Sequence, residues 1–181
     1  RIRFLQNITG LWILQRLMSE WKTRGEEQSY DTLIPQAAEA TIASIIPVDD
    51  ALFMNPVNME NALMDYCRQH DLPVPQNKAE MVKCVLQSLA FKYKQAVEKL
   101  NRCLPSSIRQ LNIIGGGSQN KLLNQLTADT LGIPVYAGPV EATAIGNILT
   151  QAMAKGEISD LHELREIVRH SITPQVYHPK K

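Results

Sequence analysis

Leu111 to Asn147 reads L-N-I-I-G-G-G-S-Q-N-K-L-L-N-Q-L-T-A-D-T-L-G-I-P-V-Y-A-G-P-V-E-A-T-A-I-G-N, and this stretch decides the fold. A short apolar run meets three glycines, and a helix-like stretch leads to a second apolar run, a Gly-Pro turn and a helix of small residues. This order predicts a β-α-β crossover, which is almost always right-handed, followed by a second helix. The glycines, Gly115–Gly117, fall where the first strand gives way to a helix. At such a junction bare backbone can approach a phosphate or nucleotide.

The residues around the glycines sharpen this prediction. Leu111 to Ile114 suits a buried parallel strand, and Ile133 to Tyr136 is the next strand. Ser118 or Asn120 can cap the helix between them, and Gly132 can end it. Leucines at helical spacing mark the buried face of that helix. The corresponding face of the following helix is formed by Ala142, Ile145, Leu149 and Ala152.

Outward from this stretch, residues 1–104 are predicted to be mainly helical, residues 105–173 to form the βαβα part, and residues 174–181 to be a loose tail. Apolar residues at steps of three and four predict a long helix over about 78–103, started by Asn77-x-x-Glu80, which resembles a capping box. A second helix is expected over Tyr30 to Ile45, with Pro35 in its first turn. Residues 1–9 are compatible with a short strand.

Composition limits the class of protein. The chain has 181 residues, 44% of them hydrophobic, and a formal net charge of +1. No basic stripe indicates nucleic-acid binding, and no apolar stretch reaches the ~18 residues of a membrane span. The histidines lack metal-ligand spacing, so no metal site is expected. The chain starts at Arg1, without an evident signal peptide. We therefore expect a piece of a longer polypeptide, in the cytoplasm.

The glycine run excludes two common nucleotide motifs. The sequence contains neither GxxxxGK[ST] nor GxGxxG, and no acidic residue lies at the end of the second strand, where a dinucleotide-binding fold would place it. Two interpretations stay open on the residues alone. The glycines can form a tight turn that needs positive φ, for which one glycine usually suffices, or a ligand can lie on the bare backbone.

Several motifs carry a resemblance to a known family. G-G-G-S-Q-N, then L-x-x-Q-L-x-A-D-x-x-G-I-P-V and G-P-V-E-A-T-A-I-G-N, closely resemble the C-terminal domain of FGGY-type carbohydrate kinases. Three further segments, N-x-x-G-L-W-I-L-Q-R from Asn7, F-M-N-P from Phe53 and C-x-x-x-S-L-A-F from Cys84, are similar to the rhamnulokinase branch of that family. The resemblance covers nearly the whole chain. It implies the α/β actin-like ATPase (ribonuclease H-like) fold, as the C-terminal half of a two-domain sugar kinase.

The resemblance also implies site residues. Gly116 and Asn120 match positions that contact the adenine nucleotide, together with the flanking Gly115 and Gly117. Gln15 matches a nucleotide-proximal glutamine on the first helix, and Asn7 a position near the sugar. Gln15 is therefore expected across the pocket from Gly116 and Asn120. Cys67 and Cys84 bracket a turn between two helices and are expected to lie close; a disulfide is conceivable in the family, but a reducing cytoplasm favours free thiols.

The activity implied is transfer of the γ-phosphoryl of ATP to a sugar hydroxyl, with Mg²⁺ as cofactor and a closed cleft between two domains. In the family the base Asp and most sugar contacts lie N-terminal to this segment, so no catalytic residue is expected in these 181 residues. The chain is expected to hold the nucleotide side of the cleft and to be inactive alone, with the missing N-terminal domain and a small sugar as partners. Another FGGY sugar kinase, of the fuculose or xylulose type, and a non-catalytic actin-like regulatory module are the alternatives.

Overall fold

The computed structural model describes residues 5–180, which fall into two compact units with the boundary between Ser107 and Ile108. The first unit consists of helices α1 (Trp12–Thr23), α2 (Tyr30–Glu39), α3 (Met59–Gln69) and α4 (Lys78–Asn101), with a short 3-10 turn at Ala51–Phe53. The second unit consists of β1 (Leu111–Ile113), a 3-10 turn at Gly116–Gln119, α5 (Lys121–Leu131), β2 (Val135–Ala137), α6 (Ala142–Ala154), α7 (Leu161–Ser171) and β3 (Gln175–Tyr177). None of the described helices is both long and apolar enough to cross a membrane.

Helix α4 is the longest helix of the first unit, and two other helices pack against it. The side chain of Asn77 accepts the backbone N–H of Glu80 (2.9 Å), and the Glu80 carboxylate accepts the N–H of Gln76 (2.7 Å), so the first turn is capped from both sides. Behind this cap, Val82, Leu86 and other residues of one face are fully buried. Helix α4 packs against α2 and α1, and α1 packs against α3. The predicted long helix therefore forms, ending two residues earlier than expected.

The prediction of a helix over Tyr30 to Ile45 was wrong in its second half. Helix α2 ends at Glu39, and the chain from Ala40 to Val48 runs without helix or strand. Side chains of α4 satisfy its backbone, because the Gln87 amide donates to the carbonyl of Ser44 (2.7 Å) and the Ser88 hydroxyl accepts the N–H of Ile46 (2.9 Å). Pro35 lies in the second turn of α2 and not in the first.

The strand considered for residues 1–9 is absent from residues 5–9. Residues 1–4 lie outside the described part of the chain. Backbone near this segment is held instead by a side chain, since the Asp49 carboxylate accepts the N–H of Thr9 (2.9 Å) and also pairs with Lys92 (2.7 Å). The regular secondary structure among the described residues of the first unit is therefore all helical, without a sheet.

The sheet of the second unit has the order β1-β2-β3. Strands β1 and β2 are parallel, with Leu111 opposite Val135, as the crossover predicts. Strand β3 pairs antiparallel with β2, and Tyr177 lies opposite Val135. Helix α5 covers this sheet through Ala128, which is buried together with Val135, Ala137 and Tyr177.

Strand β3 corrects the prediction of a loose tail over residues 174–181. Helix α5 holds the residues after β3 by two hydrogen bonds, from the Gln125 amide to the carbonyl of His178 (2.8 Å) and from the N–H of Lys180 to the Asp129 carboxylate (2.7 Å). Tyr177 is 7% exposed. The segment is therefore an edge of the sheet, and part of the core depends on it.

Helices α6 and α7 are less enclosed. The face predicted for α6 (Ala142, Ile145, Leu149 and Ala152) is the half-buried one, so the helical phase is correct. Among the residues of these two helices, all of which are described, none is fully buried. Ile148 is 66% exposed. The apolar composition of α6 therefore exceeds what its own unit covers.

The cysteines are free thiols. Cys67 on α3 and Cys84 on α4 are fully buried and in hydrogen-bonding contact with each other, so the predicted proximity is confirmed. The Cys84 thiol also donates to the carbonyl of Ser44 (3.3 Å). Contact with Cys67 and burial raise the pKa of the Cys84 thiol. Cys103, just after α4, is exposed.

We predict that the three thiols differ sharply in reactivity. Only Cys103 should react with iodoacetamide in the native chain, because alkylation needs an accessible thiolate, and the other two should react after unfolding in guanidinium. Intact-mass measurement over time gives the count, and Cys103→Ser is the control, which should remove the fast step. Rapid native labelling of Cys67 or Cys84 would contradict the burial of these two thiols.

Candidate functional site

The three glycines form a tight turn between β1 and α5. Gly115 has φ +78, and its carbonyl accepts both the N–H of Ser118 (3.0 Å) and the Ser118 hydroxyl (2.7 Å). The N–H of Gly115 donates to the carbonyl of Pro139 (3.0 Å), in the loop after β2. The predicted strand-to-helix junction therefore exists, and it lies at the carboxyl-terminal ends of both parallel strands.

The glycines of this turn are not equivalent. Only Gly115 has a left-handed backbone, which disfavours a side chain. Gly116 and Gly117 have ordinary φ, and a Cβ atom added at either would meet no atom of the chain within 4 Å. Neither the backbone nor the packing of the chain itself therefore requires glycine at these two positions. A ligand that lies against the turn would require it, because a side chain would occupy the same space.

Asn120 lies at the end of the turn and begins α5. Its side-chain oxygen accepts the N–H of Leu123 (3.0 Å), which makes Asn120, and not Ser118, the cap of the helix. Its Nδ2 is buried and has no hydrogen-bond partner among residues 5–180. An unpaired buried donor is uncommon in native proteins and indicates a bound water or ligand group.

The remaining sequence-predicted residues lie in the other unit. Gln15 is an exposed residue of α1, and Asn7 is exposed in the segment before it. The structure brings Gly115, Gly116, Gly117 and Asn120 together in one turn. The pairing of Gln15 with this turn stays a prediction, as does the role of Asn7.

A surface depression in the first unit is lined by Arg16, Ser19, Glu20, Thr23, Arg24 and Asn58. Its charges already compensate one another. Arg16 pairs with Glu20 (3.3 Å) and Arg24 with Glu60, while the Glu20 carboxylate also accepts the N–H of Met59 (2.9 Å). These contacts hold α1 against the start of α3, so they explain the cluster without a ligand.

Comparison with known proteins places the chain in a family. The profile of the FGGY family of carbohydrate kinases, C-terminal domain, matches residues 1–155. The chain belongs to the FGGY family of carbohydrate kinases. It is 45% identical over 180 residues to a rhamnulokinase of Bacteroides thetaiotaomicron and 39% identical over 180 residues to one of Bacillus subtilis. Each alignment covers 99% of this chain and 36% of the relative, so the chain spans about a third of the proteins it matches.

A solved structure shows the fold of this FGGY chain. A ligand-bound xylulose kinase from Lactobacillus acidophilus superimposes with a TM-score of 0.55 at 18% identity, over 91% of this chain and 33% of that one. The predicted fold class, an α/β domain of the actin-like ATPase type, is confirmed.

The sequence analysis of this FGGY chain missed Asn124. This residue lies on α5 between Leu123 and the buried Thr127, is fully buried, and donates from its Nδ2 to the carbonyl of Ser118 (2.8 Å). Its Oδ1 has no partner among the described residues. The leucines predicted to form the inner face of α5 did not indicate position 124, because the observed buried face is Leu123, Asn124, Thr127 and Ala128.

Metal ligands are a separate question. Within residues 5–180, no group of three or more His, Cys, Asp or Glu side chains is placed to hold a metal ion. The described part of the FGGY chain therefore offers backbone and amide groups at the turn, and no carboxylate cluster placed to hold a metal ion.

The turn generates a prediction from two alanine substitutions. Gly115→Ala should lower the free energy of unfolding by about 1–3 kcal/mol, because φ +78 with ψ −169 is a backbone conformation essentially confined to glycine. Gly116→Ala should leave it unchanged or raise it by up to about 1 kcal/mol, because φ is ordinary and the space is open. Urea denaturation of both variants measures the difference, and equal losses would contradict the stated geometry of the turn.

Proposed function

We propose that the chain is the nucleotide-binding C-terminal domain of an ATP-dependent carbohydrate kinase that phosphorylates L-rhamnulose to L-rhamnulose 1-phosphate. The observation that carries the proposal of nucleotide binding is the open space over Gly116 and Gly117. Nothing in the chain itself requires glycine at these two positions. The unpaired, buried Nδ2 of Asn120 beside it supplies a donor that a ligand acceptor or a bridging water would satisfy. Membership of the FGGY family supports the use of ATP and ADP.

The turn fits the adenine end of a nucleotide. A flat base can lie against backbone that has no side chains, and at Gly116 and Gly117 the approach is free. The start of α5 adds the positive end of a helix dipole. In this proposal Gln15 contacts the nucleotide from α1, and Asn7 lies near the sugar.

Phosphoryl transfer needs groups that these residues do not supply. Bound ATP supplies the γ-phosphoryl group, and Mg²⁺ neutralises the phosphate charge in reactions of this class. No carboxylate of the described residues is placed with others to hold that ion. We therefore propose that the base Asp and most of the sugar contacts belong to the N-terminal domain, in the part of the relatives that this chain does not span.

The choice of sugar comes from the relatives. Both proteins compared above are named rhamnulokinases, whereas the xylulose kinase contributes the fold alone at 18% identity. L-rhamnulose is therefore the proposed substrate, and a fuculose or xylulose type of sugar is the alternative. We further propose a cytoplasmic location, where ATP is available and where three free thiols would stay reduced.

The nucleotide site is tested by titrating the 181-residue chain with ADP in a calorimeter. We expect weak but saturable binding, because the chain spans only part of its relatives. Gly116→Val should raise the Kd at least about tenfold, since the side chain would occupy the space of the ligand. The control is Ala154→Val, which adds similar bulk at an exposed position of α6 in the same unit. A Gly116→Val variant that binds as the wild type does would exclude the turn as the site.

The activity is tested separately, in a coupled assay of ADP release. The protein that includes the N-terminal part of its relatives should turn over L-rhamnulose with a higher kcat/KM than L-fuculose or xylulose. The 181-residue chain alone should show no turnover, because it lacks the proposed base. Sustained turnover by this chain would overturn the proposed division of labour, and a higher kcat/KM for xylulose would replace the substrate. A long protein that binds ATP without any turnover would point to a regulatory module.

A further inference from the structure

The glycine turn is held by a relay of hydrogen bonds that starts inside α5. Asn124 donates from Nδ2 to the carbonyl of Ser118 (2.8 Å), and the Ser118 hydroxyl donates to the carbonyl of Gly115 (2.7 Å). Asn124 is 0% exposed and Ser118 is 8% exposed. Water therefore cannot readily replace either bond, and the two bonds fix both ends of the segment that contains Gly116 and Gly117.

Asn124 is a poor choice for stability. Its Oδ1 is buried without a partner among residues 5–180, and a buried polar atom of that kind is destabilising. Its neighbours Leu123 and Ala128 are buried apolar residues, among which a leucine would suit the helix better. The Asn124 amide therefore makes one hydrogen bond, through Nδ2, and leaves Oδ1 unpaired. Its clear contribution is to hold the Ser118 carbonyl in position.

We propose that Asn124 is a positioning residue, which keeps the Gly115–Gln119 turn in the conformation that accepts the nucleotide. The proposal rests on the nucleotide site proposed above. Asn124 itself touches no ligand in this view, and it acts through Ser118 and Gly115. Without it the turn would occupy several conformations, and the apparent affinity would fall by the fraction of the time that the competent one is populated.

Three substitutions separate positioning from stability. Asn124→Leu removes the amide while keeping a side chain of similar size, and Ser118→Ala removes the second bond of the relay. Thr127→Val is the matched control, because Thr127 is also fully buried on α5 and its hydroxyl donates to the carbonyl of Leu123 (2.6 Å), away from the turn. All three variants lose one buried hydrogen bond, but only the first two lose a bond of the relay.

Each variant is measured in three ways: melting temperature, Kd for ADP by calorimetry, and hydrogen exchange of the peptide that contains residues 115–120. For Asn124→Leu we expect a Kd about tenfold higher and faster exchange of the turn amides, with a melting temperature no more than about 4 °C lower. Ser118→Ala should raise the Kd about threefold by the same reasoning. Thr127→Val should lower the melting temperature and leave Kd and turn exchange unchanged.

The outcomes distinguish the two proposals. Unchanged ADP affinity and unchanged turn exchange in a folded Asn124→Leu variant would overturn the role of Asn124 and leave the nucleotide site standing. If Asn124→Leu does not fold, the Ser118→Ala variant decides by the same two measurements. A wild-type chain that binds no ADP overturns the nucleotide site, and the function of the relay with it, even where exchange shows that Asn124 holds the turn.

Discussion

The left-handed backbone of Gly115 is the constraint on which the second unit depends. Gly115 follows β1 with φ +78, and its carbonyl accepts both the N–H and the hydroxyl of Ser118. These bonds close the turn directly before Asn120, which caps α5, and α5 in turn covers the sheet. A conformation that only glycine adopts readily thus positions both a helix and a bare turn.

The first unit depends on a different device, in which polar side chains of one helix serve the backbone of a neighbouring segment. Gln87 and Ser88 lie on α4 and bond to the chain around Ser44 and Ile46, which has no ladder or helical partner of its own. A buried backbone group must be satisfied by some partner, and here α4 supplies several of them. The segment is therefore buried at Ser44, Ile46 and Val48 without being part of a sheet.

These two devices explain what the sequence could and could not predict. Helices with long apolar periods, such as α4, and the strand-turn-helix order around Gly115 were predictable, because the signals are local. The end of α2 at Glu39 is harder to predict, because alanines favour helix on both sides of it, whereas the β-branched residues before Pro47 disfavour helix. Side chains of α4 satisfy the backbone of this non-helical segment. Strand β3 was missed for a related reason: three residues show no period, and their partner β2 lies far earlier in the chain. In the candidate site, the glycines were visible as a pattern, whereas Asn124 was hidden among leucines.

Asn120 and Asn124 show why the hidden residues matter. In each side chain one buried polar atom has a hydrogen-bond partner and the other has none. The other inward residues of this helix are apolar or locally bonded. A helix selected for stability alone would carry an apolar residue at the second position, and a serine or aspartate would serve equally as the cap at the first. Local choices that conflict with the surrounding pattern concentrate at functional sites. Two buried amides with one unpaired atom each, about one turn apart, therefore support the proposed site at this turn on grounds other than resemblance.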